Sequence, residues 1–429
     1  WLVPHFEKML YDQAQLVCSY IEAFQITREP VMASAAARTL DYVLRDMASP
    51  EGGFYSAEDA DSAVDAAHPR EKREGAFYVW TWDEIRALLG EPRANWFAFR
   101  YGVEPEGNVS SDPHGEFTGR NILFQARTVA ETAGRFDCAV KEMETELNEC
   151  ARILFEARAK RPRPHLDDKI LTAWNGLMIS AFVKGGVVLE RPGYLQAARR
   201  AASFIATNLR DSNGNLLRRY RGGGAAITAM LDDYAFFTQA LLDLYEATAF
   251  IDDLASAISL TEAQSRLFED QEAGGFFASS HEDASRLMRV KDDYDGAEPS
   301  GNSIALMNLL RLYQMTGRDS FRVSARKLIS NFQPRLASAP SGMPQMLCAG
   351  EFDAAPPREI VLAGEISPDM SGLPWRSFDP NRVVLYASPE LARWQPQVAE
   401  MRGPAAYVCE NFACREPARN AEDFARLLK

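Results

Sequence analysis

Apolar positions along this chain fall into pairs of unlike stretches. The segment LDDKILTAWNGLMISAFVKGGVVLE (residues 166–190) is apolar nearly all round from Ala173 to Val188, which predicts a helix buried on every side. YLQAARRAASFIATNL (194–209) follows with apolar residues at Tyr194, Ala197, Ala201, Phe204, Ile205 and Leu209, one stripe that predicts a helix with an exposed back. The pairing recurs. DDYAFFTQALLDLYEAT is followed by SLTEAQSRLFED, and SGNSIALMNLLRLYQMTG by SFRVSARKLISNF with Phe321, Ala325, Leu328 and Phe332 in register. Near the start, EKMLYDQAQLVCSYIEAF is followed by VMASAAARTLDYVLRDM.

GGFY (52–55) and GGFF (274–277) close two of these pairs, with GAFY (75–78) in a related setting; glycine supplies the tight turn and the aromatic caps the layer, so each reads as a short hairpin. The buried helices are expected to begin near residues 6, 168, 232 and 300. The wide first interval, with helices at WDEIRALLG and about 137–160, leaves room for a fifth pair and an insertion. A closed double ring has six pairs, so the sixth is expected upstream of Trp1. The fold class is therefore all-α: an (α/α)6 toroid of helical hairpins over residues 1–354. From 355 to 429 the texture changes, and REIVLAG, RVVLYAS and AAYVCENFACREP with a terminal helix AEDFARLLK predict a small α/β region.

Composition narrows the partners. The 429 residues carry a net charge of −13, and Lys and Arg are scattered, so the basic footprint of a nucleic-acid binder is absent. No run of 18 apolar residues occurs, so no membrane-spanning helix is expected. Neither a P-loop, a GxSxG elbow, an HExxH helix nor a CxxC pair is present, and neither metal nor cofactor is implied. The cysteines Cys18, Cys138, Cys150, Cys348, Cys409 and Cys414 suit a reducing cytoplasm, with Cys409 and Cys414 five residues apart.

The acids gather where the buried helices begin: Glu7 and Asp12; Asp167 and Asp168; Asp232 and Asp233; Asp292, Asp293, Asp295 and Glu298. Glu58, Asp59 and Asp61 follow the first GGFY. If the buried helices run parallel, these ends meet at one mouth, where helix dipoles favour carboxylates. An Asp at a helix start also serves as an N-cap, and both readings stand. His5 in PHFEKM and His165 in PHLDDK each follow a Pro and precede an acid-bearing helix, which makes them the candidate bases. His114 reads as a loop residue, His68 and His281 as solvent residues. Tyr11, Tyr234, Tyr294, Trp80 and Trp174 offer faces for a sugar ring, while Asn175 and Asn302 are polar positions inside apolar helices and need partners.

WLVPHFEKMLYDQAQL, GGFYSAEDADS, EGAFYVWTWDEI, GEFTGRNIL, RPRPHLDDKILTAWNGLM, LDDYAF, DGAEPSGNS and AYVCENFAC together resemble the YyaL-like proteins, relatives of the spermatogenesis-associated thioredoxin-like proteins. The resemblance implies a toroid similar to N-acylglucosamine 2-epimerases and six-hairpin glycosidases, preceded by a thioredoxin-like domain that this sequence does not contain. Three functions follow as expectations. One is a sugar epimerase or isomerase using His5, His165, Glu7, Asp168 and Asp233, with Tyr11, Asp12, Asp59, Asp61, Trp174, Asn175, Tyr234, Glu298 and Asn302 about a carbohydrate ligand. Another is an inverting hydrolase working through two acids such as Asp168 and Asp293, which needs them about 6.5–9.5 Å apart. The third is a non-catalytic ligand-binding module that serves the thioredoxin-like domain.

Overall fold

The computed structural model describes residues 3–110, 115–283, 288–355, 357–410 and 413–429. They form two compact units that cut the chain at different places from the expected boundary near 355. One unit takes residues 1–8 and 57–167, and the other takes residues 9–56 and 168–429.

The larger unit holds the hairpins. Helix α1 (Leu10–Thr27) pairs with α2 (Pro30–Tyr42), after which a π turn (Val43–Met47) leads to the first GGFY. Residues 57–167, treated below, contribute α3 to α6. Then come α7 (Thr172–Val188) with α8 (Pro192–Asn208), α9 (Leu231–Thr248) with α10 (Ile251–Phe268), α11 (Gly301–Thr316) with α12 (Asp319–Ser338), and α13 (Pro344–Ala354). Helices α7 and α9 bury residues on all sides, whereas α12 buries only Phe321, Ala325, Leu328 and Phe332. That difference sorts them into layers. Apolar-all-round helices need neighbours on every face, and single-stripe helices supply the outer cover. Accordingly α1 packs on α7, α7 on α9, α9 on α11 and α11 on α13, and the first four of these inner helices are each backed by their own hairpin partner.

Close approach of the inner helices depends on glycine. A Cβ on Gly176 of α7 would stand 2.6 Å from the Phe236 carbonyl carbon of α9. On Gly301, at the start of α11, it would stand 2.5 Å from the Asp232 carboxylate.

The C-terminal region is the small α/β element read from the sequence, and it belongs to the same compact unit. Strands β9 (Arg358–Ala363), β10 (Arg382–Tyr386), β11 (Ala405–Glu410) and β12 (Ala413–Cys414) lie in the order β10-β9-β11-β12, with a last helix α14 (Ala421–Leu427). Strand β10 runs parallel to β9 and β11 antiparallel to it. One face of the sheet contributes Val361, Val383 and Leu385 to the helical core; the other packs Ile360, Leu362 and Val384 with Met370 and Phe424. The tail meets the ends of the inner helices: Gln25 donates to the Trp375 carbonyl, Tyr386 Oη to Glu246 O at 2.8 Å, and Gln395 to Gln314 O.

In the smaller unit, short strands β1 (Lys8–Met9), β2 (Ala57–Glu58) and β5 (Leu166–Asp167) form one sheet, and β3 (Asp61–Ala63) pairs with β4 (Lys72–Glu74). Helices α3 (Trp82–Leu89), α4 (Arg93–Tyr101), α5 (Val129–Arg135) and α6 (Val140–Arg158) complete it. Thr81 and Glu84 make a reciprocal capping box at α3. The long interval before residue 168 thus folds as a body of its own, where a fifth hairpin with an insertion was expected. Two further strands of the larger unit, β7 (Leu217–Arg221) and β8 (Gly224–Thr228), form a hairpin against β6 (Ile170–Leu171).

Candidate functional site

Because each outer helix returns the chain, the inner helices of the larger unit point the same way. Their N-termini bring Tyr11 and Asp12 of α1, Trp174 of α7, Asp232 of α9 and Glu298 (just before α11) into one rim. Tyr11 meets Trp174 edge to face at 4.9 Å between ring centres. The Trp174 indole N–H donates to Glu298. Burial raises the Glu298 pKa, Asp232 and Asp12 add to the rise, and Trp174 and Arg218 oppose it. Asp232 is likewise raised by burial, with Arg218 and the Gly301 N–H opposing. A glycine at 301 lets the Asp232 carboxylate lie across the start of α11.

Below the rim the inner helices enclose a cavity of about 410 Å³, within the range of small-molecule sites. Its wall is polar at helical spacing: Gln15, Cys18 and Glu22 on α1; Ser180 and Lys184 on α7; Gln239, Asp243 and Glu246 on α9; Arg311 on α11. Cys348 and Phe352 come from α13, and Trp375, Phe378, Asp379 and Arg382 from the tail. Lys184 pairs with Glu22 at 2.5 Å, and Arg311 with Glu246 at 2.7 Å and Asp243 at 2.8 Å. Burial opposes the Arg311 charge, and Glu246 and Asp243 more than offset that, so its pKa is raised. Burial pushes the Cys18 thiol up to about 11, leaving it neutral. Opposite charges on the wall are thus largely matched.

Other expected site residues lie elsewhere. Asp233 is wholly buried, and its carboxylate accepts from Ala173 N at 3.0 Å and Met230 N at 2.9 Å, so it caps α7 and its own helix together. Arg218 approaches it at 3.3 Å. Tyr234 is 1% exposed, and its phenol oxygen accepts from Leu216 N. Asn175 and Asn302 have no exposed surface, and their amides are taken up by backbone groups. These four are framework, not cavity wall. Asp293 turns to Arg335 of α12 at 3.7 Å, and Asp168 is an exposed partner of Arg221 at 2.6 Å. Asp295 accepts from Gln345 N at 2.8 Å and so anchors the start of α13.

His5, Glu7, Asp59, Asp61 and His165 belong to the smaller unit. There His5 Nδ1 lies 2.8 Å from Glu74, and the Asp59 N–H donates to the His165 carbonyl at 2.9 Å. The Glu74 hydrogen bond raises the His5 pKa. The cavity lining just described contains no histidine. His114 lies outside the described residues. Among the described residues no group of three His, Cys, Asp or Glu side chains is placed to hold a metal ion, and no helix is long and apolar enough to cross a membrane.

Layered helical hairpins around an axial cavity define a toroid of the six-hairpin glycosidase-like class. The chain is similar in sequence to spermatogenesis-associated protein 20, in line with the resemblance its motifs carry. It is 38% identical over 461 residues to that protein of Homo sapiens, taking in all of this chain and 58% of the human protein. It is 36% identical over 454 residues to the uncharacterized protein B0495.5 of Caenorhabditis elegans, of which it takes in 62%. The chain therefore spans somewhat over half the length of these curated relatives. No family model matches it. Among solved structures it is similar to a D-mannose isomerase (12% identity, 75% of this chain and 74% of that one, TM-score 0.37). It is also similar to a sugar epimerase from a ruminal bacterium (9%, 77% and 76%, 0.40) and to cellobiose 2-epimerase from Spirochaeta thermophila (13%, 79% and 77%, 0.36).

Proposed function

We propose that the larger unit is a carbohydrate-active enzyme that binds a neutral, polyhydroxylated small molecule in the axial cavity and acts on it by general acid–base chemistry at the rim. Glu298 carries this reading: a half-buried carboxyl oriented by the Trp174 indole and raised by burial, so that it can hold a proton for transfer. Wall chemistry supports the substrate class. Gln15, Ser180 and Gln239 offer neutral donors and acceptors, Trp375 offers a ring face, and Lys184 and Arg311 are paired with acids of the same wall, which suits hydroxyls better than a strongly charged ligand.

The favoured reaction is epimerisation or isomerisation of a reducing sugar, with Glu298 and Asp232 as the proton-transfer pair. The test is deuterium uptake at C2 when aldoses and ketoses are incubated with the protein in heavy water. Uptake that falls at least ~100-fold in Glu298→Gln supports the assignment. Uptake unaffected by that change removes Glu298 from the mechanism. A hydrolase reading is favoured by one observation: among the described residues the rim of this unit presents the carboxyls of Asp12, Asp232 and Glu298 and no imidazole. Release of reducing ends from oligosaccharides without C2 exchange would select it. Failure of every sugar to bind the folded protein would leave a scaffold serving another domain.

A further inference from the structure

The C-terminal sheet holds a second chemical grouping. Cys409 of β11 lies directly opposite Glu359 of β9 and directly opposite Cys414 of β12. The three side chains therefore form one row across the sheet and project from the same face, with Cβ atoms of opposed residues about 4.5–5.5 Å apart. The two cysteines are joined as a disulfide. Cys409 is 1% exposed, whereas Cys414 is open to solvent.

Glu359 is the anomaly. It is 3% exposed, it shares its face with Val361 and Val383 of the helical core, and its Oε1 has no hydrogen-bond partner among the described residues. Burial, with no opposing charge, pushes its carboxyl up to about 8, so it is protonated at neutral pH. Neighbouring Arg358 is engaged by the Leu428 carbonyl and by Asp379. Apart from the two thiols themselves, the titratable group next along this face of β11 is Tyr407. A purely structural disulfide gains nothing from an unpartnered acid beside it, and an apolar residue there would avoid the cost of burying a lone carboxyl. Thiol–disulfide exchange does use such an acid, because the departing sulfur must be protonated.

We propose that Cys409, Cys414 and Glu359 form a thiol–disulfide exchange site, with Glu359 as its proton-transfer group and a dithiol, small-molecule or protein, as the electron donor. A donor thiolate attacks the exposed Cys414 sulfur. The Cys409–Cys414 bond breaks, and Cys409 leaves with the bonding pair and takes the Glu359 proton. The donor's second thiol, having lost its proton to water, attacks the donor's own sulfur in the mixed disulfide and releases Cys414, which is protonated by water. Glu359 recovers its proton from water. Two electrons have passed from donor to protein: the donor is now a disulfide and the pair a dithiol. In reverse, the Glu359 carboxylate draws the proton from Cys409.

The test treats the oxidised, folded chain with dithiothreitol, quenches with acid and tags thiols with a mass-shifting maleimide, so that Cys409 and Cys414 are read separately from the other four cysteines. The expected result is complete opening without loss of helical circular dichroism and reclosure by oxidised dithiothreitol. The rate per dithiothreitol thiolate should be flat up to a pH of about 8 and fall above it. Glu359→Gln should slow opening at pH 7 by ~10-fold or more and abolish the bend. A pair that opens only in denaturant overturns the site, and an unchanged pH profile in Glu359→Gln overturns the role of the acid. If that variant does not fold, Cys409→Ser treated with oxidised glutathione decides: a persistent adduct on Cys414 that wild type resolves supports the site, and no adduct overturns it.

Discussion

The amide of Asn175 holds the backbone of Phe54 on both sides, accepting from its N–H at 2.8 Å and donating to its carbonyl at 2.9 Å. Asn302 does the same to Phe276, at 2.8 and 2.9 Å. Each asparagine lies in the first turn of an inner helix and pins the Gly-Gly-aromatic turn that closes an earlier hairpin, so the repeat is stitched by side chains as well as by packing. Asn175→Ala leaves buried Phe54 groups without partners and should cost about 2–4 kcal/mol. Asn302→Ala should cost a similar amount. Urea unfolding checks both, and ligand affinity per folded molecule should be unchanged.

Gly176→Ala is expected to be more damaging than its size suggests. The added methyl meets the Phe236 backbone at 2.6–2.7 Å, where neither helix can yield without disturbing the ring. A loss of about 1–3 kcal/mol is expected, whereas Gly193→Ala, with nothing within 4 Å, should be near neutral. Thermal melting of the two variants side by side is the check.

Arg311 carries two acids at once, Glu246 and Asp243. Arg311→Met strands both within the cavity wall, and a loss of about 3–5 kcal/mol is expected. Arg311→Met combined with Glu246→Gln should recover part of it. Denaturant titration of the single and double variants measures the coupling.

Lys8 of the smaller unit sits 4.0 Å from the centre of the Tyr78 ring and donates to the Phe6 carbonyl. Burial lowers its pKa from 10.5 to about 8, against the pull of Glu58. Between those values the folded chain binds fewer protons there than the unfolded chain, so this group makes stability rise with pH, by at most about 1.4 kcal/mol per unit. Below about pH 8 the contribution no longer changes. Lys8→Met should remove that slope, read as the difference between wild-type and variant urea midpoints from pH 8 to 10.

The hairpin layers were legible because burial on all sides and burial on one side leave different periodicities, as in Ala173–Val188 against Phe321, Ala325, Leu328 and Phe332. Only part of the clustering of acids at the helix starts was legible: Asp12 and Asp232 lie within electrostatic reach of Glu298, whereas Asp168 and Asp293 pair with Arg221 and Arg335. Which member of each acid group caps and which turns toward Glu298 was not: Asp232 and Asp233 differ only by a helical rotation of one residue. The cavity wall was overlooked, although a signal existed. Lys184 and Arg311 are the only charged residues in α7 and α11, and a lone charge in an otherwise apolar helix has to find a partner across the bundle. Glu359 carried a similar sign within REIVLAG, but its pairing with Cys409 depends on strand register, which no local pattern records.

The tail's seat on the ends of the inner helices has a consequence for the cavity. Trp375, Phe378, Asp379, Pro380 and Arg382 line the cavity beside the inner helices, so the tail supplies part of its wall. Any change in the tail's seating therefore reshapes the space offered to a guest, even though the tail lies outside the helical hairpins. Truncation before residue 358 would remove these five residues from the wall along with the sheet that holds them.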